Sequence, residues 1–284
     1  MKRIHLVIPV HHGGQLFSEA LNSVVPFANL FSEILVSVNS GQQNQVDLEI
    51  IKSLASDTPN LHVVVHENEM PGPTHFWKIV DSEKFCSFLD SDSVLFIFDD
   101  DLFLGSNFRK LVETKLVDPA TVVIGDWQVT TDRQTFTRSD AGIGDGMSPS
   151  KWIESMGFRG HRFTNGSGMV IPVKVLREYA RWARYAKRGA RFEYFMCTHR
   201  SVELLTPAIS PLVQLYQHSG QEGGKVQPPE AAWDEVLYQS WLFRQGRRNS
   251  FKSASQGIFL VLIHLSLFLL RTIFHIRQGS KVRE

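Results

Sequence analysis

The chain has 284 residues, of which 43% are hydrophobic and 21% are charged, and its formal net charge is +1. This composition is typical of a globular protein with a buried core, and the length suits one α/β domain with an appendage. Nucleic-acid-binding proteins usually carry a basic excess, so we expect no nucleic-acid partner. The two cysteines, Cys86 and Cys197, are too few for a disulfide framework and indicate a reduced, cytoplasmic compartment.

Strand and helix patterns alternate four times in the first hundred residues. β-branched runs predict strands over residues 6–10, 33–38, 61–65 and 94–98. Helical spacing of apolar residues begins near Leu16, covers residues 46–55 and passes through Trp77 and Val80. This alternation predicts a mostly parallel sheet with helices on its faces.

Three polar or glycine-rich segments each follow one of these strands. They are Gly13-Gly14, Asn39 to Gly41, and the aspartate run Asp99 to Asp101. In parallel sheets, ligands bind at the carboxyl ends of the strands. The sequence therefore predicts that all three segments lie together at one edge of the sheet.

The second half of the chain is less regular. Residues 121–124 and 169–171 are strand-like, residues 173–185 are helical, and residues 202–216 read as strand and loop. A Gly/Pro-rich break covers residues 220–229. We therefore predict a core domain over residues 1–220 and a C-terminal helical segment over residues 221–284.

The aspartate run is the strongest chemical feature of the sequence. Three consecutive carboxylates at a strand end repel one another and lose solvation, so something must offset the cost. Mg2+ or Mn2+ would do so, because both prefer carboxylate oxygen and leave positions open for phosphate. The alternative is a solvated acidic turn in which one aspartate caps the next helix.

The C-terminal segment combines an apolar run with flanking cations. No residue from 253 to 270 is charged, whereas Arg and Lys residues precede and follow the run. A membrane-spanning helix needs about 20 apolar residues and cations on one side. An interfacial helix attracted to anionic lipid fits better, on the inner face of the cell membrane. The alternative is a helix docked on the core or on a second subunit.

Four segments together resemble the family 2 glycosyltransferases. These are residues 6–10 followed by Gly13, residues 33–40, Gly72-Pro73 before a helix, and Phe98-Asp-Asp-Asp-Leu102. The likeness covers roughly residues 4–218. It implies a single Rossmann-like A-type nucleotide-diphospho-sugar fold, a nucleotide-sugar donor, a divalent metal and inversion at the anomeric carbon.

The resemblance also assigns roles to individual residues. The turn from the first strand would line the nucleotide pocket, through Pro9, Val10, His11 and Gly13. Asn39 would flank the base. Asp99 and Asp100 would lie near the ribose and diphosphate, and Asp99 and Asp101 would bind the metal. Gly166 and Gly168 would let the backbone approach the sugar and acceptor. His218 would contact the metal or a phosphate.

An inverting transfer needs a carboxylate that removes the proton of the acceptor hydroxyl. The resemblance points to Glu193 for this role, with Asp126 and Asp145 as alternatives. Two departures from the family concern other positions. Val38 stands at or next to the aspartate that usually reads the base, and His75 replaces an asparagine that the family often carries.

We therefore expect a metal-dependent inverting glycosyltransferase whose acceptor is a glycan or a lipid-linked intermediate, as in bacterial surface-polysaccharide synthesis. One alternative is a nucleotidyltransferase of related fold, which would ordinarily carry a cation in the loop after the first strand. Here that loop is His11-His12-Gly13-Gly14. The second alternative is a catalytically silent, membrane-attached binding module.

Overall fold

The computed structural model describes most of the chain before residue 246. The described residues are 3–39, 45–55, 58–114, 117–118, 120–125, 127–130, 135–138, 166–185, 192–205, 211–216, 228–245, 255, 257–259, 261–263, 265–266 and 269–270. The strands are β1 Ile4–Val10, β2 Glu33–Asn39, β3 Leu61–His66, β4 Ser93–Phe96, β5 Asp101–Phe103, β6 Thr121–Ile124, β7 Trp127–Thr130, β8 Thr135–Arg138, β9 Met169–Pro172, β10 Glu203–Leu205 and β11 Val213–Tyr216. The helices are α1 Gly14–Val24, α2 Gln45–Ala55, α3 Gly72–Val80, α4 Glu83–Cys86, α5 Gly105–Glu113, α6 Val173–Ala183, α7 Phe192–Thr198 and α8 Pro228–Arg244, with a 3-10 helix at Val25–Leu30.

A seven-stranded sheet forms the centre of the fold, in the order β10-β6-β9-β4-β1-β2-β3. All neighbouring pairs are parallel except those of β9, which runs antiparallel to both β4 and β6. The prediction of a mostly parallel sheet is therefore confirmed. The carboxyl ends of β1, β2, β3 and β4 meet at one edge, as the predicted clustering of polar segments requires.

Alternate residues of the central strands pack against helices on opposite faces of the sheet. On one face, Leu6 and Ile8 pack with Phe17 and Leu21 of α1. On the other, Phe96 packs in a cluster with residues of α3, α6 and α7. Successive strand side chains point to opposite faces, so both faces are apolar and both are covered. Full burial of a side chain such as Phe96 contributes roughly 1.5–3 kcal/mol.

A second sheet of four strands, in the order β5-β11-β7-β8, was not predicted. The predicted strand over residues 94–98 ends two residues early, at Phe96. The amide of Phe98 donates to Ser167 Oγ at 3.2 Å, so the side chain of Ser167 replaces a strand partner. The chain then turns at Asp99 and Asp100 and enters the second sheet at Asp101.

Helix α8 packs on the same core as the residues before 220. Trp241 and Tyr238 belong to the apolar cluster of α6 and α7, and the Trp241 ring lies 5.3 Å from that of Phe195. Gln245, directly after the helix, donates to Glu178 Oε1 at 3.1 Å. The predicted division at residue 220 thus places a helix of this core in the second segment. Among the described helices, none has the length and apolar character needed to cross a bilayer.

Candidate nucleotide and metal site

The aspartate run lies on the turn between β4 and β5, beside the end of β1. The Asp101 amide donates to Phe98 O at 3.2 Å and closes the turn. The His11 amide donates to Asp99 Oδ2 at 2.6 Å and joins the turn to the β1–α1 connection. Asp101 is 3% exposed, whereas Asp99 and Asp100 are partly buried. The first and third predicted segments therefore do meet at this edge.

The surroundings of Asp99 disfavour its negative charge. The pKa of Asp99 is raised to about 7; burial is the largest cause, the neighbouring charges of Asp100 and Asp47 also raise it, and the His11 amide acts in the opposite direction. A cation at this turn would relieve the same repulsion. The environment of Asp99 therefore fits a divalent metal, with oxygen ligands of the kind that Mg2+ and Mn2+ prefer.

Gly13 allows the β1–α1 connection to approach Asp99 closely. A Cβ atom at this position would lie 2.5 Å from Phe17 Cβ and 3.1 Å from Asp99 Oδ2. The next residue, Gly14, has a φ of +51° and donates its amide to Asp47 Oδ1 at 2.7 Å. Asp47 is 2% exposed. Sequence reasoning missed Asp47, although an aspartate in the first turn of α2 is a recognisable helix-start residue.

Asn39, at the end of β2, is 1% exposed and contacts both the β1 turn and the loop after β3. Its Nδ2 lies 3.0 Å from His11 Nδ1 and 2.7 Å from the carbonyl oxygen of Met70. Its Oδ1 accepts from the Met70 amide at 3.0 Å. The second predicted segment therefore joins the other two through Asn39. Val38 is buried in the apolar core, so Asn39 is the β2 residue that reaches this edge.

Two histidines and a glutamate lie together beside Asn39 and the aspartate turn. Glu69 Oε1 is 3.6 Å from His11 Nε2 and 3.4 Å from His12 Nε2. Within the described residues, this is the single group of three or more His, Cys, Asp or Glu whose ligand atoms all lie within 4.8 Å of one another. The aspartate turn does not form such a group on its own, so a metal there would draw further ligands from a bound phosphate or water.

A buried polar cluster below this edge was also missed by sequence reasoning. Ser37 Oγ lies 2.9 Å from Nε2 of both His66 and His75. The pKa of His75 is lowered to about 3, mainly by burial and in smaller part by the nearby His66 and His11. Burial also lowers the pKa of His66. Both rings are thus neutral near pH 7, and the hydroxyl lies within hydrogen-bond distance of each.

The glycine segment predicted to lie beside the sugar packs against the aspartate turn. The Gly168 amide donates to Phe96 O at 2.7 Å, and Ser167 accepts from the Phe98 amide. A Cβ at Gly166 would lie 2.9 Å from the Phe192 ring, and Gly168 has a φ of +82°. Small residues are therefore needed here for close backbone packing.

Of the remaining predicted site residues, the structure describes Pro9 and Val10 but not Asp126, Asp145, His218 or the side chain of Glu193. Pro9 is partly buried at the end of β1, and Val10 is fully buried in the apolar core, so only its backbone can face a ligand. Asp126, Asp145 and His218 lie outside the described residues. Glu193 lies in α7, but its side chain is outside the described part.

The fold is similar to that of S. aureus TarS in several solved structures. S. aureus TarS residues 1–349 in complex with UDP-GlcNAc superposes with a TM-score of 0.65 and 12% identity, over 94% of this chain and 72% of that chain. The corresponding complex with UDP gives a TM-score of 0.61 and 13% identity, over 93% and 71%. The chain has the mixed α/β, Rossmann-like fold of these structures. The predicted fold class is therefore confirmed. No protein-family model and no curated protein matches the chain.

Proposed function

We propose that the protein transfers a sugar from a nucleotide-diphosphate donor to an acceptor hydroxyl, with inversion at the anomeric carbon. The observation that carries this proposal is the aspartate turn at the carboxyl end of β4, held to the β1–α1 connection by the bond from the His11 amide to Asp99. The turn lies where ligands bind in sheets of this type. S. aureus TarS, of the same fold, has been solved with UDP-GlcNAc and with UDP, which favours a uridine nucleotide here.

The proposed metal is Mn2+ or Mg2+, with Asp99 and Asp101 as protein ligands and His218 as a further contact. Bound there, it would neutralise the charge that develops on the departing diphosphate. Asp99 and Asp101 come from a turn closed by the bond between the Asp101 amide and Phe98, so both are positioned by the backbone. Gly13 lets the β1–α1 connection pack directly against Asp99 and Phe17.

For the transfer itself we propose Glu193 as the base, with Asp126 as the alternative. In a single displacement, the carboxylate takes the proton of the acceptor hydroxyl as its oxygen attacks the anomeric carbon. The bond from that carbon to the diphosphate breaks in the same step. At the start of helix α7, Phe192 packs against Gly166. The backbone of residue 193 therefore lies next to the glycine segment that packs on the aspartate turn.

Nucleotide-dependent thermal stabilisation tests the donor class. We expect UDP to raise the melting temperature in the presence of Mn2+ and to have little effect in EDTA. A ligand at a hundred times its Kd contributes about 2.7 kcal/mol, which corresponds to roughly 4–5 °C for a domain of this size. ADP, GDP and CDP serve as controls for base selectivity.

Three outcomes, two from this assay and one from an assay of UDP release, count against parts of the proposal. Absence of stabilisation by any nucleotide diphosphate would contradict it. Equal stabilisation by UDP in EDTA would contradict the proposal that nucleotide binding depends on a metal. Stabilisation by UDP without release of UDP from any UDP-sugar would favour the silent binding module over a transferase.

We also propose that the C-terminal helical segment lies on an anionic membrane surface. Its apolar side chains are exposed, at 53% for Ile258 and Phe259, 56% for Leu262 and 64% for Leu270. Cationic residues flank the run in sequence, namely Arg244, Arg247, Arg248, Lys252, Arg271, Arg277, Lys281 and Arg283. Exposed apolar residues between cations are complementary to the interface of an anionic bilayer. Such contact would bring a lipid-linked acceptor to the site from the cytoplasmic face.

Vesicle binding tests this membrane contact. We expect the chain to bind phosphatidylglycerol vesicles and to bind phosphatidylcholine vesicles weakly. The Leu262→Asn and Leu270→Asn substitutions are each expected to lower the partition coefficient about tenfold, because each removes apolar area from the interface. Leu89→Asn is the matched control, since Leu89 is 54% exposed elsewhere on the protein. Unchanged lipid binding, or loss of self-association instead of lipid binding, would contradict the proposal.

A further inference from the structure

The amide of Asn39 has one defined orientation. Its Oδ1 accepts from the Met70 amide at 3.0 Å, and its Nδ2 donates to the Met70 carbonyl at 2.7 Å. Rotating the amide by half a turn would place the Asn39 NH2 group against the Met70 N–H. It would also place Asn39 Oδ1 against the Met70 carbonyl oxygen. Because Asn39 is 1% exposed, water could not compensate for either loss. The backbone of Met70 therefore fixes which end of the Asn39 amide faces His11.

This orientation determines the tautomer of His11. Asn39 Nδ2 lies 3.0 Å from His11 Nδ1. An amide nitrogen offers hydrogens and no acceptor, so His11 Nδ1 must accept with its lone pair. In a neutral imidazole the single hydrogen is then on Nε2. His11 is thus held as an Nε2–H donor, while its own backbone amide donates to Asp99.

The Nε2 atom of His11 points toward a carboxylate that precedes Met70 in the same loop. Glu69 Oε1 is 3.6 Å from His11 Nε2, and the Glu69 side chain is 53% exposed. The distance is longer than an ordinary hydrogen bond, and exposed pairs of this kind contribute little stability. A ligand oxygen that reaches Nε2 would therefore displace Glu69 readily.

We propose that His11 donates from Nε2 to an acceptor oxygen of the bound nucleotide, that Asn39 and Met70 set its tautomer, and that the Glu69 carboxylate lies beside this donor until the nucleotide displaces it. The identity of the ligand rests on the proposed function, whereas the tautomer does not. The acceptor is an oxygen of either the base or the diphosphate.

The same contacts argue against a metal site at His11, His12 and Glu69, although their ligand atoms lie within 4.8 Å of one another. A metal at His11 Nε2 would require the hydrogen to move to Nδ1. That hydrogen would then face the NH2 group of Asn39. Histidines that bind metals normally donate their second N–H to an acceptor, which Asn39 Nδ2 is not.

Nitrogen NMR of the 284-residue chain with 15N-labelled histidine tests the tautomer directly. In alkaline buffer, we expect the His11 resonances to show a protonated Nε2 and an unprotonated Nδ1, with the assignment made from the signal lost in His11→Phe. The Asn39→Ser variant is expected to shift the ring toward a mixture of tautomers. A protonated Nδ1 in the wild type, or binding of Zn2+ through the His11 ring, would overturn the proposal even if UDP binds as expected.

Titration with UDP, uridine and pyrophosphate tests the displacement of Glu69. Glu69→Ala should tighten UDP binding roughly twofold to fivefold, because a competing carboxylate is removed, and His11→Phe should weaken it about tenfold. Glu67→Ala, an exposed acid in the same loop, is the matched control and should change little. A gain seen with uridine identifies a base oxygen, and a gain seen with pyrophosphate identifies a phosphate oxygen. Weaker UDP binding by Glu69→Ala would overturn the proposal.

The two experiments separate this proposal from the proposed function. If the NMR result is as expected but neither the wild type nor any variant binds a nucleotide diphosphate, the proposed tautomer of His11 is supported. The proposal of a nucleotide-sugar donor is then contradicted. If the wild type binds UDP and the His11 ring carries its hydrogen on Nδ1, the proposal of a nucleotide-sugar donor is supported. The proposal that Asn39 sets the tautomer is then contradicted.

Discussion

Replacement of Asp101 by asparagine is expected to lower turnover of a UDP-sugar by about a thousandfold, the scale seen when one charged or dipolar group that stabilises a transition state is removed. Asp101 is 3% exposed at the start of β5, and asparagine keeps the shape of the side chain while removing its charge. The loss follows from weaker metal binding at the point where negative charge develops on the diphosphate. Release of UDP, measured with and without added Mn2+, reports the effect.

Asp81→Asn is the matched control for this charge change. Asp81 is exposed at the end of α3, away from the turn, and the substitution should leave turnover within about twofold. Circular dichroism establishes whether the Asp101 variant remains folded. A folded Asp101→Asn protein that turns over at the wild-type rate would place the metal, or the chemistry, elsewhere.

Replacement of Gly168 by alanine is expected to destabilise the protein by roughly 2–4 kcal/mol, a large share of the stability of an ordinary domain. Two effects combine. The φ of +82° is unfavourable for a residue with a side chain, and the new Cβ would lie 2.9 Å from Val213 Cγ2 on β11. Because Gly168 also donates to Phe96 O, the distortion would reach the end of β4. Equilibrium unfolding in urea measures the change.

Gly14→Ala separates the two causes. Gly14 also has a positive φ, +51°, but no atom lies within 4 Å of the position of its Cβ. The free energy of unfolding of Gly14→Ala should therefore fall only by the backbone contribution, roughly 1 kcal/mol. If the two variants unfold at the same urea concentration, the contact with Val213 does not constrain this part of the fold.

Local sequence patterns predict the central sheet well, and the reason is visible in the strands. Strands such as β1 and β2 are short β-branched runs with apolar residues on both faces, as buried parallel strands require. The common edge for Gly13, Asn39 and Asp99 follows from topology alone, because carboxyl ends of parallel strands coincide. That edge is the part of the candidate site that sequence reasoning located correctly.

The second sheet and the finer contacts are not readable from local patterns. Strand β5 is three residues long and pairs with β11, more than a hundred positions away in sequence. The end of β4 is set by Ser167, whose hydroxyl binds the Phe98 amide. Similarly, the contact between Asn39 and His11 depends on the position of the Met70 backbone. Such long-range partners carry no periodic signature in the sequence.

Calorimetric titration of the wild-type protein with UDP tests most directly whether the aspartate turn is a metal-dependent nucleotide site. We expect saturable binding of one UDP per chain in Mn2+, weakened at least about tenfold in EDTA, and the same loss in Asp101→Asn even with Mn2+ present. Binding of equal strength in Mn2+, in EDTA and in the Asp101 variant would contradict it.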